Sequence, residues 1–398
     1  MILSRACLAT IAVCIAAYGC SSSDGSVTDT PAGVTCANKR PASDATSLGS
    51  GLASAAAGDC VVLQPNVTYA GTFTVPPGVT LSGPAGARAI LKPSDPKAPV
   101  VALGEKSGLA GLDVADAGVA IAVHAASASI SDVHVSGAKI AALAVLCTSN
   151  CAQSTVTIAN ANLETSELGL WVSGAHVAMT GGRSGGHLGT GISSGDGIVA
   201  TGGATIELDG VTVDGNQGTG VLVDGAGTTA SIKNATIQEN ANRGVWAQGL
   251  TGTLDAPALR VESSTLVRNK IVGLGSIESR GIIIIGGRVA ETQNTPVSTT
   301  VRALDQVGDG FGIFKNTTDF KIDGTVVEQN DRAAGLVDDG TKQGIIIIGG
   351  TIAAGASGYK IVVQETDESV LQIATGDRST TPDALGVSAP QITVPPAL

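Results

Sequence analysis

The chain has 398 residues, 34 acidic and 23 basic, for a formal net charge of −11 and with no sustained basic cluster. That balance excludes nucleic acid, or an anionic membrane surface, as a partner held through a basic face. Aromatic residues make up only 2% of the chain while glycines number 54, which disfavours aromatic platforms for sugars and suits thin, closely stacked layers of backbone.

Residues 1–19 read as an export signal, with Arg5 as the lone charge and an apolar run at residues 6–18 that is too short to span a bilayer as a helix. The run ends in Ala17-Tyr18-Gly19-Cys20 followed by three serines, which resembles the lipobox of bacterial lipoproteins. The resemblance implies lipidation of Cys20, a membrane partner reached through that anchor, and a cell-envelope location, at the outer membrane and facing the periplasm or the surface. Plain secretion is the alternative. Of seven cysteines, Cys7 and Cys14 leave with the signal and Cys20 carries lipid, so Cys36, Cys60, Cys147 and Cys151 remain. An even remainder in an oxidising compartment predicts two disulfides, Cys36–Cys60 and Cys147–Cys151. Without clustered His or a CxxC pair these thiols do not make a zinc site.

Residues 20–43, rich in Ser, Thr, Asp, Pro and Gly, read as a flexible tether. Residues 44–58 then offer Asp44 or Ser47 as an N-cap and an Ala-rich run, predicting a short capping helix. From residue 59 to residue 375 short alternating strands recur between Gly and Asn. The clearest repeat pairs DGVTVDGNQGTGVLV, from Asp209, with KNATIQENANRGVWA, from Lys233, an offset of 233 − 209 = 24. Leu266, Asn269 and Gly273, then Val327, Asn330 and Gly335, repeat the same positions. Alternation sends Val211, Val213, Val221 and Val223 into one interior, with Thr212 and Leu222 facing out. A single coil cannot bury so narrow an apolar face, so stacked coils are the folding unit. Asn216, Asn240, Asn269 and Asn330 then fall at one turn of successive coils as a hydrogen-bonded ladder. Glycine at the next corner is expected to supply positive φ.

These units resemble the right-handed parallel β-helix, or pectin-lyase-like, superfamily. The fold class expected is therefore all-β, a right-handed parallel β-helix solenoid with a short N-terminal capping helix. Residues 181–197 form the expected protruding loop, and GIIIIGG occurs twice, at 281–287 and 344–350. Four successive isoleucines cannot all point inward, and residues 290–309 are expected to cover their outer side. The Pro-rich residues 376–398 cap the last coil or trail from it.

The superfamily resemblance also implies a lyase, hydrolase or epimerase acting on acidic glycans, through an Arg or Lys base beside calcium-holding carboxylates or through paired Asp residues. Its candidates are Asp338, Asp339, His187 and Arg268. Gly186-His187-Leu188-Gly189 resembles the Gly-His-Gly element of the polygalacturonase family, although there the Asp pair precedes the His. Coil register sets Arg268 beside Glu239 and Lys233 beside Asp209. Plainer readings compete: a turn at Asp338-Asp339-Gly340, a solvated loop residue at His187, cross-strand ion pairs elsewhere, and packed or surface roles for His124, His134 and His176. No cofactor or metal is expected, calcium entering only with a lyase. The main expectation is a cell-envelope lipoprotein displaying a non-catalytic scaffold that engages an envelope protein or glycan.

Overall fold

The computed structural model describes residues 30–394, except 126, 148–154, 191–194, 297–305, 339–343, 368, 370, 382–383, 388–390 and 393. The signal, Cys20, the first part of the tether, Cys151 and Asp339 therefore lie outside the described residues. One coil shows how the sequence makes the fold. In Thr205–Asp209 the burial alternates, with Ile206 and Leu208 inward and Glu207 and Asp209 outward. Thr212–Asp214 turns Val213 inward, and Val221–Asp224 adds Val221 and Val223 to the same interior. We call the sheets built from these three positions sheet 1, sheet 2 and sheet 3. Each strand pairs in parallel with its counterpart 24 residues on, Thr205 with Thr229, Thr212 with Thr236 and Val221 with Val245. Sheets 1 and 3 have 14 strands each, counting the short antiparallel Thr295–Pro296 in the latter, and sheet 2 has 12. The fold is thus a right-handed parallel β-helix, as expected.

The N-terminal end is closed by helix α1, Ala45–Ser54. The Asp44 carboxylate accepts from the Ser47 N–H at 2.7 Å and the Ser47 hydroxyl oxygen accepts from the Asp44 N–H at 3.0 Å, so both cap candidates form one capping box. Leu48 and Leu52 join the core. Lys39–Ala42 adds a strand beside Cys60–Leu63, and a Cys36–Cys60 disulfide ties it down. Cys147 is also disulfide-bonded.

At the corner after sheet 2, Asn216, Asn240 and Asn269 stack, each side-chain N–H donating to the next Oδ1 at 2.8 Å. The row does not run unbroken to Asn330: Thr292 occupies the intervening coil, its backbone N–H donating to Asn330 Oδ1 at 3.1 Å. The corner glycines do something other than expected. Gly220, Gly244 and Gly273 do not adopt positive φ; a Cβ at Gly220 would lie 2.6 Å from the Gly244 carbonyl oxygen. They are glycines because successive coils touch there. Positive φ falls instead on the residue before each ladder position, at Gly215, Glu239 and Arg268.

From Ala144 to Val362 sheet 3 is buried on both faces, which explains its continuous apolar strands there. Its outward column holds Ala144, Trp171, Val199, Leu222, Trp246, Leu336 and Val362, all buried. Leu222 points out, as read, and is nevertheless dry. Arg378–Ser379 forms the last strand of sheet 3, and beyond it Leu385, Ile392 and Val394 pack into this layer, so the later part of the tail lies back along the solenoid. In the GIIIIGG strands, Ile283 is outward yet 6% exposed, while the corresponding later edge leaves Ile348 45% exposed. The described ends of the 290–309 excursion pair with each other, Thr295 with Val307, where the chain enters sheet 3. They do not lie over sheet 1, where Ile283 has Arg260 and Lys321 as its column neighbours.

Candidate active site on the sheet 2 face

Sheet 2 strands are three residues long except the last, Thr351–Ile352, so each of the others presents two outward side chains around one inward residue. In four successive coils one outward column reads Asp113, His134, Asn162, Arg183. The adjacent column carries Glu164, and Asp214 two coils later. The result is a charged row. Arg88 reaches Asp113 at 3.4 Å and Asp132 at 2.5 Å. The His134 ring lies between two carboxylates, with Nδ1 3.8 Å from Asp113 Oδ1 and Nε2 3.4 Å from Glu164 Oε2. Arg183 bridges Glu164 and Asp214, each at 2.6 Å. Burial raises the Glu164 carboxyl, but hydrogen bonds from Asn162 and Arg183, and the Arg183 charge, outweigh it and hold the group below its ordinary range. Glu164 is therefore ionised at neutral pH.

Chemically, an imidazole flanked by two carboxylates can exchange a proton, and the flanking groups fix the orientation of its ring. Asp113 Oδ1, His134 Nε2 and Asn162 Oδ1 are sheltered from solvent and have no hydrogen-bond partner within the protein. After Arg183 the first column changes to Thr212, Thr236 and Thr265 before a second charged group begins. There Arg268 contacts Glu239 at 2.9 Å and Glu291 at 3.5 Å, and Arg288 bridges Glu291 and Glu328 at 3.0 and 2.8 Å. Among the described residues, no group of three or more His, Cys, Asp or Glu side chains is arranged to hold a metal ion.

The candidates read from sequence do not meet in one site. Arg268 is on the exposed corner beside sheet 2, where hydrogen bonding to Glu239 raises its already high pKa, the wrong direction for a general base. Lys233 sits beside Asp209 in register but makes its ion pair with Glu262, at 3.8 Å. Asp338 is the last residue of the sheet 3 strand Ala333–Asp338 and is 6% exposed. Asp339 lies outside the described residues. His124 is exposed, and His176 is held between the Thr155 hydroxyl, 3.0 Å, and Glu207, 3.2 Å.

His187 is the clearest correction. It is fully buried, not a solvated loop residue, and it occupies the ladder position one coil before Asn216. Its N–H donates to Asn216 Oδ1 at 3.2 Å, and its Nδ1 accepts from the Ser166 N–H at 3.2 Å. Because the Ser184 hydroxyl donates to the Gly197 carbonyl at 2.8 Å, it accepts from His187 Nε2 at 3.1 Å. The ring is therefore the neutral Nε2–H tautomer, imitating a carboxamide with an acceptor on one side and a donor on the other. Burial pushes its pKa from 6.5 down to about 4. With the folded pKa below the unfolded one, stability is complete above pH 6.5 and falls as acid protonates the unfolded chain preferentially. We expect a loss of about 3 kcal/mol between pH 7 and pH 4 from this residue. His187→Asn should retain the ladder bonds and remove that component of the acid slope. Urea unfolding at both pH values checks this; an unchanged slope in the variant would contradict it.

Asp113, Glu164, Arg183 and Asp214 were not singled out from sequence, and His134 was read only as a packed or surface residue. Coil length hid them: the steps from Asp113 through His134, Asn162 and Arg183 to Thr212 are 21, 28, 21 and 29 residues. No single offset aligns that column. His187 did carry a signal, since 216 − 187 equals the 269 − 240 step between Asn240 and Asn269, and Gly186 precedes it as Gly215 precedes Asn216.

The family model for a right handed beta helix region matches residues 118–295. Among solved structures, the chain is similar to the A-module of the mannuronan C-5 epimerase AlgE4 of Azotobacter vinelandii. The identity is 11%, the match covers 86% of this chain and 97% of that one, and the TM-score is 0.56. A mutant of the periplasmic alginate epimerase AlgG is similar over 78% of this chain and 82% of that one, at 11% identity and a TM-score of 0.51. At these identities the likeness is one of fold. No curated protein matches the chain in sequence.

Proposed function

We propose that the protein acts on an acidic polysaccharide laid along the outer face of sheet 2, with His134 as the proton-transfer group. The observation that carries this reading is the His134 ring set between Asp113 and Glu164, with Arg183 paired to Glu164. Of the three outer faces, sheet 3 is covered, and sheet 1 offers His176 with Glu207 but no cation joined to them. In a lyase or epimerase the step required is removal of a proton beside a carboxylate whose charge is neutralised. Neutral His134 would take that proton, Glu164 and Asp113 would stabilise the imidazolium, and Arg88 or Arg183 would face the substrate carboxylate. The alginate epimerases of similar fold support the substrate class, and no step here needs a metal.

The test is turnover by the chain from Ser21 onward against acidic and neutral polysaccharides, with and without calcium. Unsaturated ends or inverted uronate centres are expected, and His134→Asn should lower the rate at least ~100-fold without moving the unfolding temperature. Full turnover in that variant would remove His134 from the chemistry. A folded wild-type sample that binds glycan without altering it would leave the non-catalytic scaffold as the better account.

We further propose, from the Ala17-Tyr18-Gly19-Cys20 run, that the solenoid is held in the cell envelope by lipid on Cys20. Among the described residues no helix is long and apolar enough to cross a membrane. Cys20→Ser should move the protein from the membrane fraction to the soluble one. Soluble wild-type protein would end the anchor proposal.

A further inference from the structure

The tail that covers sheet 3 is held in an unusual way. Its described residues from Ala384 onward belong to no strand or helix, and side chains of the solenoid bind its backbone directly. Gln364 does so at both ends of one residue: the Leu385 N–H donates to Gln364 Oε1 at 2.9 Å, and Gln364 Nε2 donates to the Leu385 carbonyl at 3.0 Å. Gln248 repeats the arrangement with Ile392, at 2.8 Å in each direction. Between them Arg332 Nη1 donates to the Gly386 carbonyl at 2.5 Å, and the Gln391 side chain donates to Glu278 at 2.8 Å. A carboxamide presents the same donor and acceptor as a peptide group, so each Gln acts as one unit of a β-ladder turned toward the tail.

Gln248 and Gln364 stand in one register column, separated by the coils of Ile277, Phe314 and Asp338. Four steps at about 4.8 Å are roughly 19 Å. The 392 − 385 = 7 residues between their partners can reach at most about 23–25 Å, enough to join the two bound positions. Apolar anchors flank the two amides: Leu385, Ile392 and Val394 pack in the layer of Trp246, Phe314, Leu336 and Val362. Backbone read by paired amides and side chains read by an apolar floor are the two halves of a peptide site.

We infer that the outer face of sheet 3 is a peptide-binding groove whose resident ligand is the chain's own C-terminal segment, and that it accepts the same segment in trans from a second copy. The ligand class is an extended peptide with apolar side chains seven residues apart. This inference is independent of the chemistry proposed for sheet 2, which lies on another face.

The experiment starts from the folded full chain carrying a site-specific protease sequence after Thr381. After cleavage, a fluorescent synthetic peptide of residues 384–398 is added and its anisotropy followed. Intrinsic fluorescence is followed in parallel, since the only two indoles, Trp171 and Trp246, are both in the sheet 3 outer layer. The nicked protein should stay folded and exchange its tail for the labelled peptide with saturable one-to-one binding. Gln248→Ala or Gln364→Ala should weaken that binding about tenfold or more, having removed two hydrogen bonds. A peptide carrying Ile392→Asp should fail to compete. Unfolding on cleavage would overturn the inference by making the tail part of the folding core. So would a folded nicked protein that takes up no peptide, or binding indifferent to both glutamines and to Ile392→Asp.

Discussion

Asn240→Ala is expected to lower stability by about 3–5 kcal/mol, several times the effect of an ordinary surface change. Asn240 is fully buried. Its Oδ1 accepts from the Asn216 side chain at 2.8 Å and from the Asn216 backbone N–H at 3.3 Å. Its Nδ2 donates to Asn269 Oδ1 at 2.8 Å and to the Val213 carbonyl at 3.3 Å. Truncation leaves two donors of Asn216 facing a void that water reaches poorly, and an unmade buried bond costs about 1–3 kcal/mol. Neighbouring coils feel the loss directly, because solenoid stability is built from coil-to-coil interfaces. Urea unfolding of Asn240→Ala beside Gln217→Ala, an exposed residue on the same corner, makes the comparison. A difference under about 1 kcal/mol between the two would show that the ladder decorates the turn without holding it.

That ladder also marks how far sequence reasoning reached. Alternation and the 24-residue offset around Asn216 and Asn240 were enough for the solenoid, because a strand's inward side must recur at period two and a coil's corner must recur once per turn. They were not enough for His187, since the ladder position is defined by hydrogen-bond geometry and not by residue type. An imidazole that accepts at Nδ1 and donates at Nε2 satisfies it as an amide does. Nor could they give the sheet 2 row, where variable excursions between strands change the step from coil to coil. The tail was least legible of all: Gln248 and Ile392 are 144 residues apart, and no local pattern encodes their contact.

Division of labour among the faces follows from what each strand pair can leave exposed. Sheet 3 is apolar inside and out, so some chain had to cover it, and the tail does so across the layer of Trp246, Phe314 and Leu336. Sheet 2 keeps its short strands polar outside, and stacking at the inter-coil spacing brings side chains of opposite charge into contact without any local sequence proximity. A site on such a face can be assembled from single residues of successive coils, each held by its neighbours above and below. On the sheet 2 face Glu164 contacts both the His134 ring and Arg183, and Arg183 in turn contacts Asp214.

Breaking the Arg332–Asp309 pair is expected to cost about 3–5 kcal/mol at pH 7, whereas removing Arg268 from its exposed partners should cost no more than about 1 kcal/mol. The contrast is burial. Arg332 and Asp309 side chains are 1% and 0% exposed, and the guanidinium grips both carboxylate oxygens, at 2.9 and 2.5 Å. Arg332→Leu leaves a carboxylate in a dry site. Burial already holds the Asp309 carboxyl above its usual range, against the pull of the Arg332 charge, and loss of that charge drives it further up. The folded state of the variant then takes up a proton that the unfolded chain, titrating near 4, does not. Its penalty is therefore full above the folded pKa and shrinks as pH falls toward the unfolded one. Urea unfolding of Arg332→Leu at pH 7 and pH 5 should show the smaller deficit at pH 5, and replacing Asp309 by Leu as well should recover much of it at both. An equal deficit at the two pH values would mean that the cost lies in packing and not in charge. Arg332→Leu also removes the bond to the Gly386 carbonyl, so greater quenching of Trp246 by acrylamide is expected in the single and the double variant alike. Recovery of stability without recovery of quenching protection would separate the ion pair's contribution to the core from Arg332's hold on the tail.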